Sequence, residues 1–331
     1  MIRKKLLAAV CAVTLLCVLQ AAAAAERLFR VSYSAPATAY LPLWAAKDAG
    51  FFERNALRVE LLYVGSSPIA LSALLSGEID VLAGGGTVAP VAYMNGFRDL
   101  ALFATLDHRL PFKIYAAPAI ADLSGIRGKR FGVTRFGGTL DFASRYFLKS
   151  IGLDPQRDVQ LVQIGNTADI LAALISGSVD VGTLTFPYNF SAKKAGYREL
   201  ADLAQSGARY ATAAFLSRQK FIVEQRGRMQ SFVKALVEAT HFVKTNPDPA
   251  LKILQRYTRS ADRDTSKLAY DEYAQNIWPR LPAIEPDDIK LILEHLGQTN
   301  PKAREINPAA LIDNGLTENA GRSGLLEQLY K

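Results

Sequence analysis

The chain has 331 residues, half of them apolar, and a formal net charge of +8. This length and apolar content exclude a disordered chain and predict two lobes, because a single hydrophobic core rarely grows so large. The basic residues are scattered and form neither runs nor stripes interleaved with aromatic residues, which excludes a nucleic-acid-binding surface.

The first 25 residues have the pattern of a secretory signal peptide. Basic residues at positions 3–5 precede an uncharged apolar run from Leu6 to Leu19, and alanines follow as a cleavage site. As a helix this run reaches about 21 Å, short of a bilayer core of about 30 Å. The sequence therefore predicts a chain that is cut near Ala25 and released into the periplasm.

Both cysteines, Cys11 and Cys17, lie inside this apolar run. Neither follows the Gly or Ala that precedes the cysteine of a lipoprotein signal, so we expect no lipid anchor. A mature chain without cysteine excludes disulfides, thiolate catalysis and cysteine metal sites.

The mature sequence begins with alternating strand and helix patterns. LFRVSYSA and VELLYVG are typical of strands, and YLPLWAAKDAGFF between them is typical of a helix. In ALSALLSGEIDV (residues 70–81), leucines at positions 71, 74 and 75 share one helix face, and Gly77 ends the helix as a left-handed cap. Strand, helix and strand with short connections predict a parallel pair with a right-handed crossover.

The same pattern returns 100 residues later. ILAALISGSVDV (residues 170–181) shares seven of its twelve positions with ALSALLSGEIDV, and its apolar helix positions are Leu171, Leu174 and Ile175 before Gly177. KRFGVTRFGG and TLDFASRYFLKSIGL supply a strand and a helix upstream. Each half therefore has a βαβαβ pattern, and the sequence predicts an α/β protein of two Rossmann-like lobes.

We expect the chain to visit the first lobe twice. Residues 26–113 form its first part, residues 114–212 form the second lobe, and residues 213–331 return to the first lobe with C-terminal helices. The hinge crossings are expected within residues 101–118 and 210–218. Proline-containing breaks interrupt an otherwise helical stretch over residues 221–296.

Ligands of open parallel sheets bind beyond the carboxyl ends of the strands, where loops lead into helix N-termini. In this sequence those loops are residues 34–40, 65–67 and 84–87 in the first half and 134–139 and 185–189 in the second. The predicted ligand-binding residues lie in these loops: Ser34, Tyr40, Ser66, Ser67, Gly86, Thr87, Arg135, Gly138, Thr139, Phe186 and Tyr188.

Several of these residues also have a purely structural interpretation. The serine and threonine hydroxyls can serve only as helix caps. Arg135 is either a bidentate clamp for a carboxylate or sulfonate or a solvent-facing side chain. For the nearby Trp44, packing in the core is the favoured interpretation over a place in the cleft wall.

The sequence contains no recognisable catalytic or metal-binding motif. His108, His241 and His295 are far apart and are interpreted as surface or capping residues. Asp287 and Asp288 begin an apolar helix, where carboxylates interact favourably with the helix dipole. We therefore predict a protein that is not an enzyme and uses no cofactor or metal.

Three segments occur in the order YLPLWAAKDAGFFERNALRVELLYVGSSPIALSALLSGEIDVLAGG, IADLSGIRGKRFGV and KSIGLDPQRDVQLVQIGNTADILAALISGSVDVGTLTFP. Over residues 28–260 the chain resembles the substrate-binding proteins of ABC importers in the SsuA/THI5-like family, which take nitrate, sulfonates, taurine and pyrimidine thiamine precursors. The resemblance implies the periplasmic binding protein type II fold, with the ligand clamped between two lobes joined by hinge strands. It also implies an inner-membrane ABC permease and its ATPase as partners.

One loop departs from the pattern of that family. Where its members commonly carry a Trp before an acidic residue and Pro, this chain has Thr185-Phe186-Pro187. The loss of a negative charge favours an anionic ligand. We expect a monomeric periplasmic protein that captures a small organic anion, sulfonate- or carboxylate-like and including aromatic ones. A binder of a pyrimidine thiamine precursor, an exported enzyme and a ligand sensor on the same scaffold remain open alternatives.

Overall fold

The computed structural model describes residues 27–65 and 67–331, which form two five-stranded mixed sheets flanked by helices. The predicted α/β fold of two Rossmann-like lobes is confirmed. The predicted signal peptide and Ser66 lie outside the described residues. In the part of the chain that the structure describes, no helix combines the length and apolar content needed to cross a bilayer.

Ten strands build the two sheets: β1 (Phe29–Tyr33), β2 (Val59–Tyr63), β3 (Val81–Gly84), β4 (Ala101–Thr105), β5 (Lys113–Ala116), β6 (Arg130–Val133), β7 (Gln160–Gln163), β8 (Val181–Leu184), β9 (Arg198–Asp202) and β10 (Ala214–Ser217). The first sheet has the order β2-β1-β3-β10-β4. β1 pairs in parallel with β2 and with β3, so the two strands predicted to pair with each other lie on either side of β1.

The second sheet repeats this arrangement in the order β7-β6-β8-β5-β9. β6 pairs in parallel with β7 and β8. In each sheet one strand runs antiparallel to its neighbours, and the chain reaches that strand by crossing over from the other sheet. β5 lies between β8 and β9, and β10 lies between β3 and β4.

Fourteen α-helices are present in the described ranges, besides short 3-10 helices: α1 (Leu41–Asp48), α2 (Phe51–Arg54), α3 (Ser67–Ser76), α4 (Val88–Met94), α5 (Thr139–Ser150), α6 (Thr167–Ile175), α7 (Tyr188–Lys194), α8 (Gln219–Glu224), α9 (Arg226–Thr245), α10 (Pro247–Thr258), α11 (Arg263–Glu272), α12 (Asp287–Leu296), α13 (Gly315–Arg322) and α14 (Leu325–Leu329). A π-helical turn, Tyr273–Ile277, follows α11. The longest helix, α9, packs its Phe232 ring against Phe29, Phe52 and Phe215 at centroid distances of 5.5 to 5.6 Å. This aromatic cluster is the centre of the first lobe.

The sequence repeat is also a structural repeat. Gly77 and Gly177 adopt positive φ angles of 79° and 72°, so both end their helices as predicted. In each copy the aspartate that follows the helix accepts the backbone N–H of an arginine at 2.9 Å, Arg30 to Asp80 and Arg130 to Asp180. The repeated sequence therefore specifies the same junction of helix and strand in both lobes.

The apolar face predicted for α6 is partly wrong. Ile175 is 57% exposed, and the fully buried positions are Ile170 and Leu174. The face is rotated because α6 lies against two strand glycines: a Cβ at Gly182 would come within 2.7 Å of Ile170 Cγ2, and one at Gly132 within 3.4 Å. Ile170 fills the space that the missing side chains leave.

Two chain segments cross between the sheets side by side. The N–H of Tyr210 donates to the carbonyl of His108 at 3.0 Å, and the N–H of Thr212 donates to the carbonyl of Asp107 at 3.1 Å. The side chain of Asp288, in the first turn of α12, joins both segments. Its Oδ2 accepts from His108 Nδ1 at 2.8 Å, and its Oδ1 pairs with Arg209 Nη2 at 2.8 Å.

Asp288 thus does more than interact with the dipole of α12. Its carboxylate is fully buried and also accepts the N–H of Glu285 at 2.8 Å. His108 is correspondingly a partner of this carboxylate, and the interpretation of the histidine as a surface or capping residue missed the contact. The partners lie about 80 and 180 positions away along the chain, so local pattern gave no indication of them.

Candidate functional site

The carboxyl ends of the parallel strands of the two sheets face each other. The N–H of Thr38, in the loop after β1, donates to the carbonyl of Phe186, in the loop after β8, at 3.3 Å. The loop after β3 meets the start of α5 so closely that a Cβ on Gly85 would lie 1.7 Å from Thr139 Oγ1. Loops from both lobes therefore meet at the strand ends where ligands of such sheets bind.

Tyr210, in the second crossing, lies beside these loops, near Thr87 and Thr139. Its side chain is fully buried, and its ring packs against Phe142 of α5 at a centroid distance of 4.8 Å. Burial raises the pKa of Tyr210 to about 12, and the hydroxyls of Thr139 and Thr87 lie near enough to act in the opposite direction. No atom of the described residues meets its hydroxyl in hydrogen-bonding geometry. The neutral phenol is therefore available to donate or accept.

Two further tyrosines complete the wall. Tyr40 is buried, which raises its pKa to about 12, and its hydroxyl hydrogen-bonds Ser34 Oγ at 2.9 Å. Tyr273, in the π-helical turn, is fully buried and packs edge-on against Phe186 at 5.5 Å. Burial raises the pKa of Tyr273, as do the nearby Asp107 and Tyr40.

Six buried side chains near these loops carry polar atoms that meet no partner in good hydrogen-bonding geometry among the described residues, although Tyr210 lies beside the hydroxyls of Thr87 and Thr139, and Tyr273 beside that of Thr185. We call them the interlobe cluster: Thr38, Thr87, Asp107, Asn189, Tyr210 and Tyr273. Buried polar atoms are nearly always paired, and leaving one unpaired costs about 1–3 kcal/mol. Such a concentration beside the loops where the two lobes meet is the pattern expected where a ligand supplies the missing partners.

The predicted site residues can be placed within this geometry. Ser34 hydrogen-bonds Tyr40, Thr87 and Thr139 lie beside Tyr210, and Phe186 accepts a hydrogen bond from the other lobe. Thr87 makes no capping hydrogen bond, and Gly138 rather than Thr139 is the N-cap of α5, so neither hydroxyl acts as a helix cap.

The two predicted glycines have backbone roles. The N–H of Gly86 donates to the carbonyl of Ala211 at 2.8 Å, and a Cβ there would meet the same oxygen at 2.9 Å. A Cβ at Gly138 would lie 3.1 Å from the carbonyl oxygen of Arg135. Gly86 thus allows the loop after β3 to approach the second crossing, and Gly138 permits a tight turn before α5.

Arg135 is half-buried in the turn after β6, where its carbonyl accepts the N–H of Gly138 at 3.0 Å, and its guanidinium forms no hydrogen bond or ion pair with the described residues. Tyr188 begins α7, and its pKa is raised to about 12 by burial and by the nearby Tyr63 and Asp169. Ser67 begins α3. Trp44 is fully buried and stacks on Tyr257 at 4.6 Å, which confirms its interpretation as a core residue.

Sequence reasoning missed most of the interlobe cluster. Thr38 and Asn189 lie inside loops that were predicted, but neither was selected. Asp107, Tyr210 and Tyr273 come from the crossings and from the turn after α11. The rule that ligands bind at strand ends selects only the loops between a parallel strand and the helix that follows it, so it does not select residues in those segments.

Two curated relatives match at low identity. YtlA of Bacillus subtilis, named as a binding protein, is 24% identical over 211 residues, and the nitrate/nitrite binding protein NrtA of Nostoc is 25% identical over 231 residues. Each match covers 62% of this chain. The chain spans 63% of the length of the first relative and 51% of the second.

Solved structures share the fold at identities below 25%. A Bordetella bronchiseptica protein has a TM-score of 0.80 at 21% identity, covering 90% of this chain and 98% of its own. The alkanesulfonate-binding protein SsuA of Xanthomonas axonopodis, bound to MOPS, has a TM-score of 0.69 at 19% identity, covering 88% and 97%. The desulfurization enzyme DszB has a TM-score of 0.64 at 16% identity, covering 88% and 99%.

These likenesses confirm the two-lobed periplasmic binding protein fold. The sequence model of the NMT1-like family matches residues 29–256. The predicted kinship with SsuA/THI5-like substrate-binding proteins is thereby confirmed, and the chain belongs to the NMT1-like family.

Proposed function

We propose that this protein is the periplasmic solute-binding component of an ABC importer and that it captures a small organic anion, sulfonate- or carboxylate-like, between its lobes. The observation that carries the proposal is the interlobe cluster, a set of buried polar groups contributed by strand-end loops of both lobes, by the crossings and by the turn after α11. The signal peptide predicted for residues 1–25 would direct the chain to the periplasm.

The chemistry of the enclosing loops supports an anionic ligand. Hydroxyls of Thr87, Thr139 and Tyr210 can each donate a hydrogen bond to an anionic oxygen. Arg135 adds a guanidinium that no described side chain neutralises, and a guanidinium matches the geometry of carboxylates and sulfonates. The aromatic rings of Phe186 and Tyr273 offer an apolar wall for the body of the ligand.

Delivery to a permease requires two arrangements of the lobes. Ligand contacts from both lobes favour the closed arrangement, and the paired crossings are the segments that would bend. The partners we propose are an inner-membrane ABC permease and its ATPase, which recognise the ligand-bound form of a monomeric protein.

A thermal-shift screen of the mature protein tests the ligand class. Sulfonates, aromatic carboxylates, nitrate, taurine and pyrimidines are offered separately, and a true ligand at 100 times its dissociation constant stabilises the fold by about 2.7 kcal/mol. We expect hits among the sulfonates or carboxylates, each recovered unchanged after incubation. Hits confined to uncharged pyrimidines would contradict the anionic class, and a consumed hit would identify an enzyme.

Removal of the guanidinium is expected to weaken anion binding. Arg135→Ala should raise the dissociation constant of the best anionic hit at least about tenfold, because a hydrogen bond to a charged group contributes about 1.5–3 kcal/mol. Calorimetry measures the change. Arg157→Ala, at an exposed arginine paired with Asp154, is the control and should bind like the wild type. Unchanged affinity in Arg135→Ala would exclude the clamp.

A side chain at position 85 should obstruct closure. Gly85→Ala would place its Cβ 1.7 Å from Thr139 Oγ1 and 3.0 Å from Thr139 Cβ, so the lobes must separate or Thr139 must move. With the best hit present, small-angle scattering should show a larger radius of gyration than for the wild type, and affinity should fall several-fold. Gly227→Ala is the control because its Cβ would meet no atom within 4 Å. Equal radii and affinities would contradict this role of Gly85.

A further inference from the structure

Helix α12 is attached to the first lobe. A Cβ on Gly86, in the loop after β3, would lie 3.1 Å from Ile292 Cδ1 of this helix. Just before α12, the N–H of Ile284 donates to Asn314 Oδ1 at 3.1 Å, and its carbonyl accepts from Asn314 Nδ2 at 2.7 Å. The N–H of the neighbouring Asp313 donates to a carbonyl of β4 at 2.9 Å. These contacts fix α12 to the sheet of the first lobe.

The C-terminal end of α12 contacts the second lobe. The ring of His295, in the last turn of α12, meets the ring of Phe142 of α5 edge-on at a centroid distance of 4.8 Å. The ammonium of Lys149, also on α5, donates to the side-chain oxygen of Gln298. The interpretation of His295 as a surface or capping residue missed this contact. We call residues 287–299 the interlobe strap, because they join the two lobes beside the paired crossings.

Charged side chains of the second lobe surround the imidazole of His295. It lines a cavity of about 460 Å³ together with Arg145, Lys149 and Asp154. Arg145 pairs with Asp141 at 2.8 Å, and Asp154 pairs with an exposed arginine at 3.6 Å. Lys149 has no ion pair among the described residues, so its positive charge acts on the imidazole without compensation. The cavity gives water and protons access to this ring.

The charges on the strap's own side balance each other. Glu294 is an exposed acid beside His295 on α12, and Arg304 packs on the strap, where a Cβ on Gly297 would lie 2.7 Å from Arg304 Cγ. Burial, and then the two cations of α5, lower the pKa of His295 to about 4. The neutral imidazole is therefore the form that suits the contact with α5.

We propose that the interlobe strap is a pH-sensitive device, in which neutral His295 holds α5 against α12, whereas protonated His295 releases α5 and lets the lobes separate. Release places the imidazolium in water, away from Lys149. The device goes beyond the proposed function, because it opens the lobes on acidification through a contact that includes no residue of the predicted ligand site.

Acidification should favour the released arrangement. Above pH 6.5, the ordinary pKa of the group, the imidazole is neutral in both arrangements, so its contact with α5 contributes fully. As the pH falls from 6.5 toward 4, the released arrangement takes up the proton more readily. The ratio of engaged to released molecules then falls by up to about tenfold for each pH unit.

Distances between two spin labels test the device without any ligand. Both cysteines of the chain, at positions 11 and 17, lie in the predicted signal peptide, so the mature protein takes labels only at introduced cysteines. Asn95→Cys, after α4 of the first lobe, and Ser150→Cys, at the end of α5, replace exposed residues. We expect one short distance at pH 7.5. A longer distance should gain population as the pH falls from 6.5 toward 4.

Histidine variants assign the change to a residue. His295→Gln cannot take up the proton, so its distances should stay nearly constant over the same pH range. His241→Gln is the control, because His241 also meets an aromatic ring edge-on at 4.8 Å, that of Tyr330, but both rings belong to the segment after the second crossing. It should behave like the wild type.

Three results would overturn the device. They are a long distance already dominant at pH 7.5, distances that do not respond to pH, and an equal response in His295→Gln. A response that persists in His295→Gln and disappears in His108→Gln would place the switch in the crossings instead. Because no ligand is used, the device can fail while the proposed anion-binding function stands.

Discussion

Asp288→Ala is expected to lower the free energy of unfolding by about 3 kcal/mol, a large fraction of the stability of a typical domain. The substitution removes the acceptor of the side chains of His108 and Arg209, which come from the two different crossings. It also removes the acceptor of the N–H of Glu285 at the start of α12. Asp288 is fully buried and His108 is 24% exposed, so water replaces the bonds of His108 and Glu285 less readily than that of Arg209, which is 46% exposed.

Urea denaturation followed by circular dichroism measures this effect. Asp287→Ala is the matched control, because Asp287 is the adjacent acid in the same helical turn but is exposed. Its contribution through the helix dipole should be about 0.3–1 kcal/mol. A loss at Asp288 no larger than the loss at Asp287 would mean that the carboxylate does not hold the crossings together.

The contrast between these two aspartates shows what sequence could predict. Their place at the start of an apolar helix was visible, and the helix begins at Asp287. The contacts of Asp288 were not visible in the sequence, because they join the helix to segments about 80 and 180 positions away. Local pattern predicts an element and its ends, whereas partners that are distant along the chain depend on the packing of the whole fold.

The sequence repeat allowed more to be predicted than a single lobe would. A motif written twice with one spacing indicated two similar lobes, and Gly77 and Gly177 end their helices as expected because a left-handed cap is a local signal. The antiparallel strands β5 and β10 were not assigned, since strand direction across a crossing depends on how the two sheets are joined. Ile175 was misplaced because glycines of other strands, not the helix itself, decide which face packs.

The residues of the candidate site likewise fall into two groups, those that local sequence patterns predict and those that depend on the packing of the whole fold. Thr87, Thr139 and Tyr40 were predicted from a topological rule that applies to any parallel sheet. Tyr210 and Tyr273 reach the same space from the second crossing and from a C-terminal turn, so no rule based on strand order finds them. No feature of the sequence pointed to Asp107. Its carboxyl group is also unexpected, because the loop at Thr185 lacks an acidic residue and so indicated a site without negative charge.

Asp107→Asn is expected to stabilise the protein at neutral pH. Burial raises the pKa of Asp107 well above its ordinary value of 3.8, and Asp288 acts in the same direction, while the N–H and the charge of Arg109 act against it. The buried carboxyl therefore favours its protonated form, and ionising it costs free energy that an amide does not incur. The amide oxygen can still accept the N–H of Arg109, so the turn is preserved.

The sign of the pH dependence follows from this raised pKa. Below pH 3.8 the carboxyl is protonated in the folded and unfolded chains alike, so its contribution to stability is fully present. As the pH rises toward the folded pKa, the unfolded chain releases the proton first, and stability is lost by about 1.4 kcal/mol for each unit that separates the two pKa values. The stability advantage of Asp107→Asn should therefore grow with pH and then level off.

Urea denaturation of both proteins at a series of pH values between 4 and 8 measures this advantage. Asp99→Asn is the control, since Asp99 also accepts a backbone N–H, from Lys220 at 2.9 Å, but is exposed, and water solvates its charge. A pH-independent difference between Asp107→Asn and the wild type would show that the carboxyl is not held in an unfavourable environment. If the advantage does grow with pH, the fold retains the buried carboxyl of Asp107 at the expense of stability.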